Sequence, residues 1–358
     1  MNLRHFVVIA LAMVACKERA AEPDPTPAVA TAMPSSNLPA SKVVDGQFSA
    51  MGTSVTFKVW TDRELAARAA MQDALAEIKR IEAMMTTWND ASDVSKINAA
   101  AGGPPVVVSP ELLTVLHGAR AIHDASDGVF DVTYYGLKGL WHFDQDAAND
   151  IPSAAEIKAR LPLVDGSKVE LDDAANTVRL PTKGMAINLG GIAKGYAVDK
   201  AAEVLARNGF TDVVVQAGGD LLVRGRKGQA DWTVGIRDPR GKEDDFFALA
   251  PIRDSSFSTA GDYERAFVKH GKRYHHILDP RTGYPATACR SVTILAPDAL
   301  TADELDDAVF ILGPEKGLKL IEARPGVGAV IVDEGNHVIV SERLKSIVTI
   351  VHPPTPGV

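Results

Sequence analysis

The sequence predicts a single α+β domain whose central sheet is largely antiparallel and flanked by helices. Three observations carry that reading. The second half of the chain is a run of short strand-like segments separated by tight turn signals, among them "TDVVVQ", "LLVRG", "WTVGIRD", "SSFSTA" and "SVTILA". Longer stretches with apolar residues at helical spacing stand before and between them. No internal repeat and no sharp change of composition divides the folded region, so helices and strands belong to one unit.

In chain order, residues 1–15 read as a targeting segment. Arg4 and His5 form a weak basic region, "FVVIALAMVA" is an apolar core too short to span a bilayer, and Cys16 follows directly. That pattern predicts a bacterial lipoprotein signal with lipid on Cys16; the alternatives are a plain secretory signal with an incidental cysteine and a retained anchor. Residues 16–44 are rich in Ala, Pro, Ser and Thr and read as a flexible tether. The folded domain is expected over 45–352, with 353–358 as a tail. "FSAMGTSVTFKVW" alternates like one strand bent at Gly52, and a helix is expected from about Asp62 to Met85 with Leu75, Ile78, Ile81 and Met85 on one face. "TTWNDASD" is turn-rich. Ser109 caps a helix that starts at Pro110. Between Trp141 and Pro181 hairpins and a short helix are expected. "GGIAKGYAVDKAAEVLARNG" is a helix ending at Gly209, and after the strand run come an acid-rich helix, a helix started by Pro314, the hairpin "VGAVIVDEGNHVIVSE" and a last strand, "SIVTIV".

Composition narrows function only coarsely. The 358 residues are 46% hydrophobic and 23% charged with a net charge of -8, and no basic stretch is interleaved with aromatics, which argues against nucleic acid as a partner. With Cys16 lipidated, Cys289 has no partner for an internal disulfide and reads as a small buried hydrophobe.

Several motifs place chemistry-bearing residues together. "INLGGIAKG" sets two glycines and Lys194 at a helix start, where backbone N–H groups favour phosphate, although glycines for tight packing would look the same. Its spacing matches neither the dinucleotide fingerprint nor the P-loop. "AGGD" and "TAGD" follow apolar strands and suit either a ligand-hugging turn or a plain strand end. In "YHHILDP" the adjacent histidines point to opposite faces, so at most one shares a site with its neighbours. In "TADELDDAVFILG", Thr301 with Glu304 fits a capping box, which accounts for Asp303 and Glu304. Asp306 and Asp307 lie deeper, and clustered carboxylates beside an apolar run repel one another unless a cation joins them; oxygen donors favour Mg²⁺ over zinc.

Taken together, "MGTSVTFKV", "GVFDVT", "INLGGIAKGYAVD", "VVVQAGGDLLVRG", "SFSTAGDYERAF", "HHILDPRTGYPA" and "TADELDDAVFILG" resemble, in order and spacing, the ApbE family, the FAD:protein FMN transferases. The resemblance spans Phe48 to about Val351. It implies an ApbE-like domain that holds FAD as substrate through its diphosphate on Mg²⁺ and passes FMN to a threonine hydroxyl of a target protein, releasing AMP. It places the metal on the Gly191 carbonyl and on Asp303 and Asp307, with Asp306 adjacent. The flavin contacts fall on Met51, Trp88, Val129, Phe130, Asp131, Asn188, Lys194 and Ile277. His276 is the expected general base and Asp262 a weaker candidate. Three positions depart from the family pattern: Asn188 where Asp is frequent, Ala260 where Ser is usual, and Asp307 where Thr is usual. The implied partners are membrane-associated redox flavoproteins with an acceptor threonine, and the implied location is the bacterial envelope, lipid-anchored and facing the periplasm. Competing readings are a Mg²⁺-dependent FAD pyrophosphatase and a lipid-anchored flavin-binding protein without turnover.

Overall fold

The structure is a computed structural model that describes residues 40–143, 150–242 and 244–357. The targeting segment, Cys16 and nearly all of the tether lie outside the described residues. An eight-stranded sheet forms the centre, in the order β1 (Lys42–Ala50), β2 (Thr53–Thr61), β3 (Val213–Ala217), β4 (Asp220–Arg224), β5 (Ser255–Gly261), β6 (Cys289–Ala296), β7 (Gly328–Asp333) and β8 (Val338–Val340). Every neighbouring pair is antiparallel, so the strands meander across the sheet in chain order.

Both faces of the sheet are covered, which is why its strands read as apolar runs. In β7, Ala329 and Ile331 enter the core on the helical side while Val330 and Val332 enter the core on the other. The helical layer contains α1 (Glu64–Met85), α2 (Asp93–Ala99), α3 (Pro110–Ala125), α5 (Ala193–Arg207) and α6 (Ala299–Glu322), with α5 lying between α1 and α6, while α4 (Ala154–Arg160) packs its Ile157 with Trp141 and Phe267 in a separate small cluster. On the opposite face sits a three-stranded sheet of Trp232–Arg237, Phe246–Ile252 and Thr349–Ile350, which buries Trp232 and Phe247. The free thiol of Cys289 is buried in β6.

Several boundaries differ from the sequence expectation. The expected single strand Phe48–Trp60 is a hairpin: Met51 (φ 51) and Gly52 (φ 70) both take left-handed conformations, as a tight type I′ turn requires. Lys42 already pairs with Thr61, so the domain begins inside the expected tether. The stretch after "TTWNDA" folds into α2, started by Ser92, whose hydroxyl accepts from the Ser95 N–H at 3.0 Å. The α6 cap is Asp298, not Thr301: Asp298 accepts from the Thr301 N–H at 2.7 Å, while the Ala299 and Leu300 N–H groups are held by Asp199 of α5, each at 2.9 Å. Asp303 and Glu304 are therefore inside the helix, and capping does not account for them. Gly313 (φ 78) breaks α6 and Pro314 restarts it, as expected. The expected tail docks: Thr355 donates its N–H and hydroxyl to Asp238 at 2.9 and 2.7 Å.

Candidate functional site

The site forms where the start of α5 meets α6. Leu189 accepts from the Ala193 N–H at 2.8 Å to begin α5, and the Asn188 side chain accepts from the Gly190 N–H at 2.8 Å. Two glycines let the helices touch. A Cβ on Gly191 would lie 2.7 Å from Asp307 Oδ2, and one on Gly195 would lie 2.2 Å from the Ala299 carbonyl oxygen and 2.7 Å from Asp303 Cβ. Across this contact the Gly195 N–H donates to Asp303 at 2.8 Å.

Carboxylates crowd the junction. Asp220, at the start of β4, lies with Asp303 and Asp306 so that one oxygen of each falls within 4.8 Å of the others, and all three residues are buried. Lys194 Nζ stands 2.7 Å from Asp220 and 3.1 Å from Asp303. Burial alone would lower the Lys194 pKa, but the charges of Asp220, Asp303 and Asp306 outweigh it and hold the ammonium well above its ordinary value. One ammonium does not neutralise the group. The Ser258 hydroxyl is 2.6 Å from both Asp220 and Asp306 yet has a single proton to donate. Burial, reinforced by Asp307, Asp303 and Asp220, pushes Asp306 well above the carboxylate range. Asp303 is raised by burial and by Asp220, against the pull of Lys194. Asp307 is pushed up to about 6, chiefly by burial.

This donor set fits Mg²⁺. It is oxygen only, buried and short of positive charge, and Gly191 brings backbone against Asp307 where any side chain would intervene. The expected ligands Gly191, Asp303, Asp306 and Asp307 are thus brought together. Asp220 and Ser258 join them and were missed, because a Gly-Asp pair after a strand reads equally well as a turn.

The residues expected to contact flavin lie largely on loops. Tyr134 donates to Asn188 at 3.1 Å, Asn188 donates to Thr87 at 3.3 Å, and Tyr135 also reaches Thr87 at 3.2 Å. This ties the turn carrying Trp88 to the start of α5. Trp88 is 90% exposed, which removes a core role for the ring. Phe130 is buried, with a ring atom 3.5 Å from a Cβ placed on Gly191, and Val129 is buried next to it in sequence. The Asp131 side chain is engaged elsewhere: it accepts from the Thr133 N–H and hydroxyl at 2.7 and 2.5 Å and from the Gly166 N–H at 2.8 Å. Its carboxylate holds the 129–137 segment in shape rather than standing open to a ligand.

The two histidines divide as their alternation predicts. His275 is buried, donates from Nε2 to the Ala286 carbonyl at 2.8 Å and accepts from the Ile277 N–H at Nδ1. His276 has a buried Nδ1 with no hydrogen-bond partner among the described residues. Burial first, then the charges of His275, Arg265 and Lys194, hold its pKa down to about 3, so the ring is neutral. Asp262 is corrected. Both its oxygens are clamped by Arg240 at 2.6 and 2.7 Å in a buried pair, which leaves no free oxygen to act as a base.

The sequence pattern of the ApbE family matches residues 51–331. The chain belongs to the ApbE family. Among its relatives, a FAD:protein FMN transferase of Treponema pallidum is 35% identical over 298 residues, 79% of this chain and 82% of that protein. One from Klebsiella pneumoniae is 34% identical, covering 82% and 91%. Among solved structures, an ApbE protein from Thermotoga maritima aligns with TM-score 0.78 and 36% identity over 86% of this chain and 99% of that one. The flavin transferase ApbE from Vibrio cholerae aligns with TM-score 0.76 and 25% identity over the same shares. An eight-stranded antiparallel sheet carrying this site is thus the ApbE fold.

Proposed function

We propose that this ApbE-family chain transfers FMN from FAD to a threonine hydroxyl of a target protein and releases AMP. The observation that supports the reading best is the buried group of Asp220, Asp303 and Asp306, oxygen donors only, set against the start of α5. Asp303, Asp306, Asp307, Asp220 and the Gly191 carbonyl would hold Mg²⁺, which supplies charge neutralisation for a diphosphate. The N–H groups at the α5 start and the Lys194 ammonium favour the same anion. Trp88 offers an exposed ring for the isoalloxazine beside Thr87, which Asn188 holds, and Met51 and Phe130 would add further flavin contacts.

His276 accepts the proton of the attacking hydroxyl. Its ring is neutral, its Nδ1 has no hydrogen-bond partner among the described residues, and Arg265 and Lys194, which add to burial in depressing its basicity, are positive, so an arriving diphosphate offsets them and makes the ring a better base. Export and lipid attachment at Cys16 would place this chemistry at a membrane, within reach of membrane-associated redox flavoproteins.

The test is to incubate the protein with FAD and Mg²⁺, with and without a threonine-bearing acceptor, and to follow AMP and covalent flavin. Both products are expected, and both should vanish in Asp303→Ala. AMP with free FMN in the presence of acceptor would make the chain a pyrophosphatase, and bound, unchanged FAD would make it a carrier. Fractionation of Cys16→Ser against the parent tests the anchor, with loss from membranes expected.

A further inference from the structure

We propose that Arg265 binds the substrate: its guanidinium grips the non-bridging oxygens of the FMN-side phosphoryl group while that group is transferred. The proposal rests on the reading of the site as an FMN transferase and adds a residue to it. It begins with a hairpin. Strands Ala266–Lys269 and Lys272–His275 pair with Ala266 opposite His275, and the next pair along is Arg265 and His276, joined by the His276 N–H donating to the Arg265 carbonyl at 3.1 Å. Residues directly opposite on an antiparallel pair project from the same face, with Cβ atoms about 5 Å apart. The base of the hairpin therefore presents a guanidinium beside the imidazole whose Nδ1 has no partner among the described residues.

The hairpin is held in place. Phe267 stacks on Tyr274 at 5.3 Å, Tyr274 on Trp141 at 5.8 Å, and Trp141 donates to the Gly283 carbonyl at 2.8 Å. On the far side, Arg265 Nη2 comes within 3.8 Å of a Cβ placed on Gly52, so the side chain spans from the hairpin base to the Met51–Gly52 turn. Nearby arginines are committed: Arg240 to Asp262, Arg237 to Glu264, and Arg290 to Glu334 and Asn336. Arg265 differs from them. It is exposed, and its guanidinium makes no hydrogen bond or ion pair among the described residues, although a carboxylate-rich site is close by.

A phosphorus in line with a hydroxyl whose proton goes to His276 lies within a few ångströms of that ring, and so within reach of its cross-strand neighbour. In the transfer, the hydroxyl oxygen bonds to the FMN-side phosphorus, the bond from that phosphorus to the bridging oxygen breaks, AMP leaves with that oxygen, and the hydroxyl proton passes to His276. Charge spreads over the equatorial phosphoryl oxygens as this happens. A two-pronged guanidinium carried on that fixed hairpin matches those oxygens and is worth more there than in the ground state.

The experiment uses Arg265→Ala and Arg265→Lys, with thermal melts to confirm that both fold. Turnover is read as AMP release at saturating FAD, Mg²⁺ and acceptor; binding is read without metal, in EDTA, for FAD and for riboflavin, which has no phosphate. Arg265→Ala should lower kcat about 10²-fold, with the lysine variant between it and the parent. It should weaken FAD binding and leave riboflavin binding unchanged. Parent-like kcat in a folded Arg265→Ala, or equal loss of FAD and riboflavin affinity, would overturn the proposal. A parent that releases no AMP defeats the transferase reading instead, and the metal-free comparison then still decides whether Arg265 grips the diphosphate.

Discussion

Replacing Gly195 with alanine asks whether the contact between α5 and α6 is what builds the site. In an unconstrained helix this change stabilises, because alanine is preferred over glycine by about 1 kcal/mol. Here the new methyl would sit 2.2 Å from the Ala299 carbonyl oxygen, whereas ordinary contact begins at 3.4 Å, so the helices must part by about 1.2 Å. The obstructing atoms are backbone and a buried Cβ, and no side-chain rotation relieves them. Overpacking of this kind costs roughly 1–3 kcal/mol, which outweighs the propensity gain. Net of the propensity gain this leaves up to about 2 kcal/mol, and at about 2 °C per kcal/mol for a domain of this size the melting temperature should fall by up to about 4 °C. Displacement also moves Asp303 away from Gly195, Lys194 and Asp220, and a shift of about 1 Å at a reacting site costs on the order of 10²-fold in rate. Melts with and without Mg²⁺, alongside AMP release across a magnesium titration, measure both effects. A variant that melts like the parent and keeps its magnesium requirement would show that the junction yields freely and does not position the acids.

Asp307→Thr, which restores the family's usual residue, should keep turnover but need more Mg²⁺, read from the same titration; an unchanged requirement would take Asp307 out of the metal site. Trp88→Ala should leave the melt untouched, since the ring is 90% exposed, and weaken FAD by on the order of 1 kcal/mol in a fluorescence titration if stacking holds the flavin. Asp262→Asn strips a buried partner from Arg240 and should cost about 3–5 kcal/mol in denaturant unfolding while turnover per folded molecule is retained. Asp199 is raised from 3.8 to about 6, chiefly by burial, so the folded chain holds that proton more tightly than the unfolded chain does. Its contribution is complete below about pH 4 and is lost as pH rises through 6, up to about 3 kcal/mol, and Asp199→Asn should flatten that part of the stability profile.

Much of the fold was legible because its signals are local. Ser109 with Pro110 and Gly313 with Pro314 mark helix ends through their own backbone chemistry, and the meander follows from strands that pair with their chain neighbours. The losses have physical causes too. Met51 enters the left-handed region without being glycine or asparagine, so nothing in its type announced the hairpin turn. The α6 start was misplaced because Asp298 and Thr301 both fit a cap pattern, and the choice between them is made by Asp199, a hundred residues away. Within the site, the acids of α6 and the Gly-rich α5 start were visible as a pattern. Asp220 was not, since its role depends on β4 starting beside α6, and Asp262 misled because its partner, Arg240, is remote in sequence.

The direction of β1 has a mechanical consequence. The strand runs nine residues, about 30 Å, from Lys42 at one end of the sheet to the Met51–Gly52 turn at the rim of the site. A pull applied ahead of Lys42 and along the strand loads the β1–β2 ladder in shear, with its register pairs sharing the force instead of opening one after another. The load enters at the end of the sheet away from the chemistry, and the hairpin bears it before the turn beside Arg265 feels it. Such a domain can be towed by its N-terminus with its reacting groups still aligned.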